Sequence, residues 1–166
     1  MRVPGETVQA RLVRRVARCL RERAERIATA ESCTGGLLAK CLTDLPGSSD
    51  YFDRGWVTYS NAAKQELLGV GERTLNRHGA VSRAVAVAMA RGAFSASRAT
   101  VAVAITGIAG PTGAMPGKPV GTVWIAWGRR VRGGPRIRAR RFRFDGDREA
   151  IRRRAATSAL QGLLAP

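Results

Sequence analysis

An apolar run near the middle of the chain predicts a strand that is buried on both faces of its sheet. Residues 100–105 read Thr-Val-Ala-Val-Ala-Ile, without the polar alternation of a half-exposed strand, and glycine follows closely. Such a strand needs helices on both sides. Because helices and strands also mix along the rest of the chain, with at least two strand–helix units, we predict an α/β fold. Its three α/β/α layers would surround a central, mostly parallel or mixed sheet.

The other elements are predicted from apolar periodicity and from residues that begin or end helices. Helices are expected over 6–23, from residue 37 to residue 45, from Ser60 or Asn61 to Gly69, from Ser82, and after Asp147. Strands are expected over 26–30, 55–59, 120–127 and 136–144, and the last should be half-exposed, with arginines guarding an edge. With no internal repeat and no linker, residues 1–166 are predicted to form a single domain.

Apolar spacing assigns a buried face to the first and the last helix. The first should turn one face inward through Val8, Leu12, Val16, Cys19 and Leu20. The last should do so through Ile151, Ala155, Ala159, Leu160 and Leu163. Each of these helices is therefore expected to pack through one face only.

The cysteine and histidine content excludes several classes of protein. The three cysteines, Cys19, Cys33 and Cys41, form no C-x-x-C pair, and His78 is the one histidine. Neither a disulfide framework nor a metal site is predicted. The chain shows no signal-peptide core and no apolar run of the roughly 18 residues that span a bilayer, so we expect a cytoplasmic protein without membrane association.

The net charge of +17 invites a nucleic-acid interpretation, which we do not favour. The excess lies near the two ends of the chain, and only Lys40, Lys64 and Lys118 of the 29 basic residues are lysines. An arginine bias of this kind also follows from a GC-rich genome acting on exposed positions. The basic regions contain few aromatic residues for base stacking beyond Phe142 and Phe144, which we interpret as strand residues.

Ser32 lies between a predicted strand and a predicted helix, where backbone N–H groups are unpaired. Such groups at Thr34, Gly35 and Gly36 are candidates for holding a developing oxyanion. An ordinary helix cap remains the alternative. In a sheet of this kind ligands bind beyond the carboxyl ends of the strands, where the loops 31–36, 60–64 and 106–119 are expected.

A serine nucleophile needs a base, and lysine is the candidate. His78 precedes a Gly-Ala turn, where we predict a loop role, and arginine does not deprotonate near neutral pH. Lys40 falls on a helix and Lys118 in the glycine-rich loop. Lys64 falls in the first turn of the helix after Tyr59, where the helix dipole favours a neutral amine. A surface lysine remains the alternative.

Six segments, in order, closely resemble the CinA carboxy-terminal domain family. They are residues 29–36, 46–52, 57–61 with Lys64, 78–82, 106–111 and 118–123. The likeness runs through nearly the whole chain and departs from the family pattern at 112–117. The family also includes longer chains with an additional amino-terminal domain, and we expect this chain to be a stand-alone version.

The resemblance implies hydrolysis of the carboxamide of nicotinamide mononucleotide, in a pyridine-nucleotide salvage route, without a cofactor or metal. By position in the family's motifs, Ser32 would attack the amide carbon, Lys64 would take its proton, and Tyr59 would orient or assist that transfer. The predicted substrate-binding residues are Glu31, Cys33, Thr34, Gly35, Gly36, Thr106, Gly107 and Gly110, with the glycine loop approaching ribose and phosphate and Glu31 anchoring its own loop. We also expect a homo-oligomer, a dimer or higher.

Two other hypotheses stay open at this point. The fold could serve as a non-catalytic nucleotide or nucleic-acid binding module that uses its basic ends. Alternatively, Cys33 rather than Ser32 could attack, since thiolates are intrinsically better nucleophiles.

Overall fold

A five-stranded mixed sheet organises residues 7–165, the part of the chain that the computed structural model describes. The strands are β1 (Ile27–Glu31), β2 (Phe52–Val57), β3 (Val101–Gly107), β4 (Thr122–Val131) and β5 (Gly134–Arg143). They lie in the spatial order β2-β1-β3-β4-β5, and β1 pairs in parallel with both β2 and β3. β4 is antiparallel to β3 and to β5. The carboxyl ends of β2, β1 and β3 therefore meet at one edge of the sheet.

Helices cover both faces of this sheet. The helices are α1 (Val8–Glu22), α2 (Leu37–Thr43), α3 (Asn61–Leu68), α4 (Glu72–His78), α5 (Arg83–Ser95) and α6 (Arg148–Leu164), with a 3-10 turn over Ser48–Asp50. The layer of α1, α2 and α6 packs on one face, and the layer of α3, α4 and α5 packs on the other. The predicted three-layer α/β/α arrangement with a mixed sheet is thereby confirmed. In the described range no helix is long and apolar enough to cross a membrane.

The sheet has an apolar core on each face, and alternate residues of β3 contribute to one core and to the other. Val101, Val103 and Ile105 pack towards α1 and α6, whereas Ala102 and Ala104 pack towards α5. The predicted burial of this strand on both faces is confirmed. Small side chains on the α5 side allow the helices of that layer to approach closely.

One glycine fixes the relation between α5 and α3. A Cβ at Gly92 on α5 would lie only 2.0 Å from the Leu68 carbonyl oxygen at the end of α3. Any side chain at this position would force the two helices apart. The position of α3, which carries Lys64, thus depends on the close packing of its neighbour.

Three predicted helix caps are confirmed. The side chains of Ser60, Ser82 and Asp147 accept from the N–H groups three residues on, at 3.0, 3.2 and 2.8 Å. These bonds satisfy donors that the first turn of a helix leaves unpaired. The caps begin α3, α5 and α6 where the sequence placed them.

Other predictions were wrong in part. β2 was predicted over 55–59 but begins at Phe52 and ends at Val57, because the chain leaves the sheet once Thr58 has donated to the Glu31 carbonyl. Val8 is 56% exposed and Cys19 half-buried, since the core face of α1 starts at Leu12 and continues through Val13 and Ala17. The predicted start of that helix at Glu6 lies outside the described residues.

The short helix α4 was not predicted. Its sequence is polar, and Leu75 is its single buried residue, so it carries no apolar period that a sequence pattern would reveal. His78 ends this helix rather than lying in a loop.

Candidate active site

The loops that follow β1 and β2 are held to the sheet by backbone hydrogen bonds, which continue the pairing one residue beyond the end of each strand. The Ser32 N–H donates to the Ile105 carbonyl at 2.9 Å, and the Thr58 N–H donates to the Glu31 carbonyl at 2.8 Å. Ser32 therefore stays beside β3 while Thr58 stays beside β1. The predicted meeting of these loops at one edge of the sheet follows directly from the parallel pairing.

Lys64 reaches from α3 into this edge and contacts Ser32. The distance from Lys64 Nζ to Ser32 Oγ is 3.1 Å, and the lysine and serine are 1% and 8% exposed. The same amine lies 2.8 Å from the Thr58 carbonyl oxygen and 3.3 Å from that of Tyr59. The Ser60 carbonyl is a more distant neighbour at 3.5 Å.

The surroundings of Lys64 favour its neutral form. Burial lowers the pKa of the amine below its ordinary value of 10.5, and no carboxylate among residues 7–165 forms an ion pair with it. A neutral amine has two hydrogens and one lone pair. The hydrogens match the carbonyls of Thr58 and Tyr59, which leaves the lone pair to accept the hydroxyl proton of Ser32.

Glu31 is a buried carboxylate that organises the loop after β1. Its two oxygens accept from the N–H groups of Leu38 at 3.0 Å and Ala39 at 2.8 Å. Gly36, the N-cap of α2, has no side chain for this purpose. Glu31 therefore holds the start of the helix in place, as the predicted anchor would, and both its oxygens are engaged by the protein.

The loop leaves two of the three predicted oxyanion donors free. The Gly35 N–H donates to the Ser32 carbonyl at 3.0 Å. Within the described residues no protein acceptor faces the N–H groups of Thr34 and Gly36. Gly36 has a φ of +91°, a backbone conformation that a residue with a side chain rarely adopts.

Cys33 is buried next to the candidate nucleophile and is a poor nucleophile itself. Desolvation raises the pKa of its thiol from 9.0 to about 12, so the group is protonated at neutral pH. A thiol is a far weaker nucleophile than a thiolate. This environment disfavours the hypothesis that Cys33 attacks the substrate.

Tyr59 contributes its backbone rather than its phenol to the lysine. Its side chain is 58% exposed, and its hydroxyl accepts from Arg148 Nη2 at 2.7 Å. The contact with Lys64 is made by the carbonyl oxygen. The structure thus brings Tyr59 to Lys64, but with the phenol turned towards α6.

Thr106 and Gly107 end β3, and Gly110 lies in the glycine loop that follows; each has a different partner. The buried Thr106 hydroxyl donates to the Ala80 carbonyl at 2.8 Å. Gly107 packs against β4, where a Cβ would lie 2.7 Å from a methyl group of Val123. The Gly110 carbonyl accepts from Arg148 Nη1 at 2.8 Å, which ties the loop to α6.

Sequence reasoning missed two arginines of α6. Besides Arg148, the side chain of Arg152 reaches this edge and donates to the Thr34 carbonyl at 2.9 Å. A signal was available, since the two arginines stand four apart in the first turns after the Asp147 cap and so share a helix face. The signal was hard to see because the chain contains many other arginines near its end.

Known proteins are similar to this chain in sequence and in fold. A family model described as the CinA C-terminal domain matches residues 9–165. Two proteins named nicotinamide-nucleotide amidohydrolase PncC are similar: that of Pseudomonas putida is 52% identical over 92% of this chain and 93% of its own length, and that of Escherichia coli K12 is 53% identical over 92% and 90%. The crystal structure of the competence/damage inducible protein CihA from Agrobacterium tumefaciens matches with a TM-score of 0.90 and 44% identity, over 99% of this chain and 98% of that one.

Proposed function

The chain belongs to the CinA C-terminal domain family, and on that basis we propose that it is an amidohydrolase that converts nicotinamide mononucleotide to nicotinate mononucleotide and ammonia. The relatives named as nicotinamide-nucleotide amidohydrolases support the activity over nearly the full chain. The observation that carries the proposed mechanism is the 3.1 Å contact between the Ser32 hydroxyl and the buried, desolvated amine of Lys64. No cofactor or metal enters this mechanism.

In the first half of the reaction Ser32 attacks and ammonia leaves. Lys64 Nζ takes the hydroxyl proton as Ser32 Oγ bonds to the amide carbon, and the carbonyl oxygen becomes an oxyanion. The free N–H groups of Thr34 and Gly36 are the candidate donors to that oxyanion. When the intermediate collapses, the C–N bond breaks, and the Lys64 ammonium transfers its proton to the leaving nitrogen. Ammonia departs and an ester on Ser32 remains.

In the second half water replaces ammonia and the same groups act in reverse. Neutral Lys64 accepts a proton from the attacking water, whose oxygen bonds to the ester carbon. The C–O bond to Ser32 then breaks, and the serine oxygen recovers its proton from Lys64. The product is the carboxylic acid, and the enzyme returns to its starting state.

The experiment that tests this proposal is an assay of ammonia release from nicotinamide mononucleotide. Ser32→Ala removes the nucleophile and should abolish release, and Lys64→Ala removes the base and should nearly abolish it, with general base catalysis contributing about 10²–10⁴-fold. Lys40→Ala is the matched control, because Lys40 is exposed and pairs with Asp44 at 2.6 Å. A wild-type rate in either the serine or the Lys64 variant would overturn the mechanism.

Location and assembly complete the proposal. We expect a cytoplasmic enzyme, which agrees with the free thiols of Cys19, Cys33 and Cys41. We also expect a homo-oligomer of two or more chains. Light scattering of the purified protein measures its mass, and a monomer at micromolar concentration would remove this part of the proposal.

A further inference from the structure

The fold brings the two basic ends of the chain together. Helix α1 from the beginning of the chain packs against α6 from its end, and the Gln9 side chain donates to the Arg153 carbonyl at 3.2 Å. β5 is tied to the same helix, since Arg138 Nη2 donates to the Gly162 carbonyl at 2.6 Å. In the sequence the positive charges lie at separate ends, which does not favour a nucleic-acid surface. In the structure those ends are neighbours.

These three elements hold an unusual density of positive charge. α1, α6 and β5 contain fourteen arginines, one residue in three, and two acidic residues, Glu22 and Glu149. The helices of the opposite layer, α3, α4 and α5, contain four arginines, one residue in seven, and also two acidic residues. A compositional bias that acts on every exposed position alike does not account for this difference.

Three arginines form a row on the face of β5 that turns towards α6. Alternate residues of a strand point to the same side, so Arg136, Arg138 and Arg140 share a face with Phe142, which packs against the core beneath α6. All three arginines are exposed. At about 3.4 Å per residue, the row spans about 14 Å.

The arginine row borders a groove that is lined by further arginines. The groove has a volume of about 610 Å³, and its lining includes Arg23, Arg129, Arg136 and Arg138 but no acidic residue of the described chain. Among these four arginines, Arg129 alone has a carboxylate partner, Glu25 at 2.8 Å. The groove therefore presents a net positive charge.

This groove is separate from the candidate active site. Val101, the first residue of β3, lines the groove, whereas Ser32 is held beside Ile105 further along the same strand. The distance along the strand between these two points is about 13 Å. A partner bound at β5 does not need to cover Ser32.

The free donors of the arginine row suit the phosphates of a nucleic-acid duplex. Within residues 7–165 no hydrogen bond or ion pair engages the Arg136 side chain, and the Arg140 guanidinium contacts only the Phe142 ring. Arginine binds phosphate through paired, charge-assisted hydrogen bonds. One strand of a duplex presents a phosphate about every 3.4 Å along its axis, so the row spans about four phosphates.

Two other polyanions fit this surface less well. Single-stranded nucleic acid binds through free aromatic faces, but the Phe142 ring is engaged by Phe144 and Arg140, and Trp127 is only 5% exposed. An anionic membrane surface favours apolar side chains that insert beside the charges. Neither β5 nor α6 carries an exposed large hydrophobic side chain.

We propose that α1, α6 and β5 form a surface that binds double-stranded nucleic acid through its phosphates and without sequence preference, with the arginine row at its centre. This interaction goes beyond the proposed hydrolysis and does not rest on it. Such binding releases counterions from the duplex, so its affinity falls steeply with added salt.

The test is the fluorescence anisotropy of a labelled duplex of about 20 base pairs, titrated with the protein at salt concentrations from about 50 to 200 mM. Three to four phosphate contacts predict a slope of about −3 for log affinity against log salt, and an affinity about 50- to 100-fold lower at the highest salt. Duplexes of unrelated sequence should bind equally well.

Two variants test the arginine row. Arg136→Ala removes a side chain without contacts in the fold and should reduce the steepness of the salt slope by about one. Combining it with Arg138→Ala and Arg140→Ala should bring the slope close to zero and lower the affinity at low salt by at least about tenfold. Unchanged ammonia release and circular dichroism verify that these variants are folded.

The matched control removes the same charge from the opposite layer. Arg73→Ala, Arg77→Ala and Arg83→Ala together change three exposed arginines of α4 and α5. This variant should keep the salt slope of the wild-type protein.

Three outcomes would overturn the proposal. One is an absence of binding at the lowest salt concentration, and another is an equal loss in the control variant, which would mean attraction to net charge alone. The third is tighter binding to single strands of the same length or to phosphatidylserine vesicles than to the duplex.

Discussion

Two regions of the molecule place basic side chains in opposite environments. One is the cage around Lys64, formed by the carbonyl groups of Thr58, Tyr59 and Ser60, and the other is the groove on the first turns of α6. Lys64 is almost fully buried, and its amine faces uncharged carbonyls. Arg148 is exposed and Arg152 half-buried, and both residues line this groove on α6. A general base must be able to lose its proton, which a lysine amine can do and an arginine guanidinium does not do near neutral pH. The comparison explains why a chain so rich in arginine places a lysine beside Ser32.

Exchanging the residue type in the cage should produce the largest effect. Lys64→Arg keeps a long basic side chain but supplies a group that does not deprotonate, so ammonia release should fall by at least about 10³-fold. The measurement is the initial rate with saturating nicotinamide mononucleotide, with circular dichroism to verify folding.

Lys40→Arg makes the same exchange at an exposed site on α2 and should leave the rate unchanged. A Lys64→Arg enzyme that kept a tenth or more of the wild-type rate would show that the cage does not depend on a neutral amine.

The pH dependence of the reaction should separate the two regions. Burial lowers the pKa of Lys64 below its ordinary value of 10.5. The amine therefore loses its proton at a lower pH than an exposed lysine does, and the neutral form dominates above that lowered pKa. The rate needs that form, so kcat/KM should fall towards tenfold per pH unit as the pH drops below the lowered pKa.

Profiles recorded above pH 7 avoid the second ionisation of a phosphate monoester, whose pKa is about 6. The affinity of Ser32→Ala for nicotinamide mononucleotide should not change with pH over the range in which the rate of the wild-type enzyme changes. A rate profile that rises only around 10.5 would contradict a desolvated base.

Tyr59 joins the two regions and should matter less than either. Tyr59→Phe removes the hydroxyl that Arg148 binds but keeps the carbonyl that faces Lys64. With one hydrogen bond lost at an exposed position, kcat/KM should fall by only about three- to tenfold. Steady-state kinetics should assign most of the change to KM. A kcat loss as large as that of Lys64→Ala would mean that the phenol itself transfers protons.

Cys33 should give the smallest effect. Its thiol is buried and has a pKa of about 12, so Cys33→Ala removes no group that ionises near neutral pH. We expect a rate within about twofold of wild type and some loss of stability from the space left in the core. Thermal unfolding and ammonia release measure the two effects. Loss of turnover in Cys33→Ala together with activity in Ser32→Ala would assign the attack to the thiol.

Local chemistry made much of the fold predictable. The burial of β3, the caps at Ser60, Ser82 and Asp147, and the buried face of α6 all depend on residues close together in sequence. The parallel pairing of β1, β2 and β3 brings Ser32 and Lys64 to the same edge of the sheet. The predicted nucleophile after β1 and the predicted base after β2 therefore belong to one site.

The parts that were not predicted depend on contacts between distant segments. Arg152 meets Thr34 across 118 positions of the chain, and Arg148 meets Tyr59 across 89. No spacing rule connects residues of the last helix with loops near the first strand. The direction of the Tyr59 phenol and the engagement of Gly35 are likewise set by neighbours that a linear pattern does not reveal.

The acceptors around Lys64 have a consequence for how the site tolerates sequence change. Three of its four oxygen neighbours are main-chain carbonyls, from Thr58, Tyr59 and Ser60, and every amino acid supplies that atom. Substitutions at these positions alter side chains while the carbonyl groups themselves persist. Substitutions at residues 58–60, Tyr59 included, can therefore accumulate while the reactive amine keeps most of its environment. The two positions at which a substitution removes a reacting group are Ser32 and Lys64.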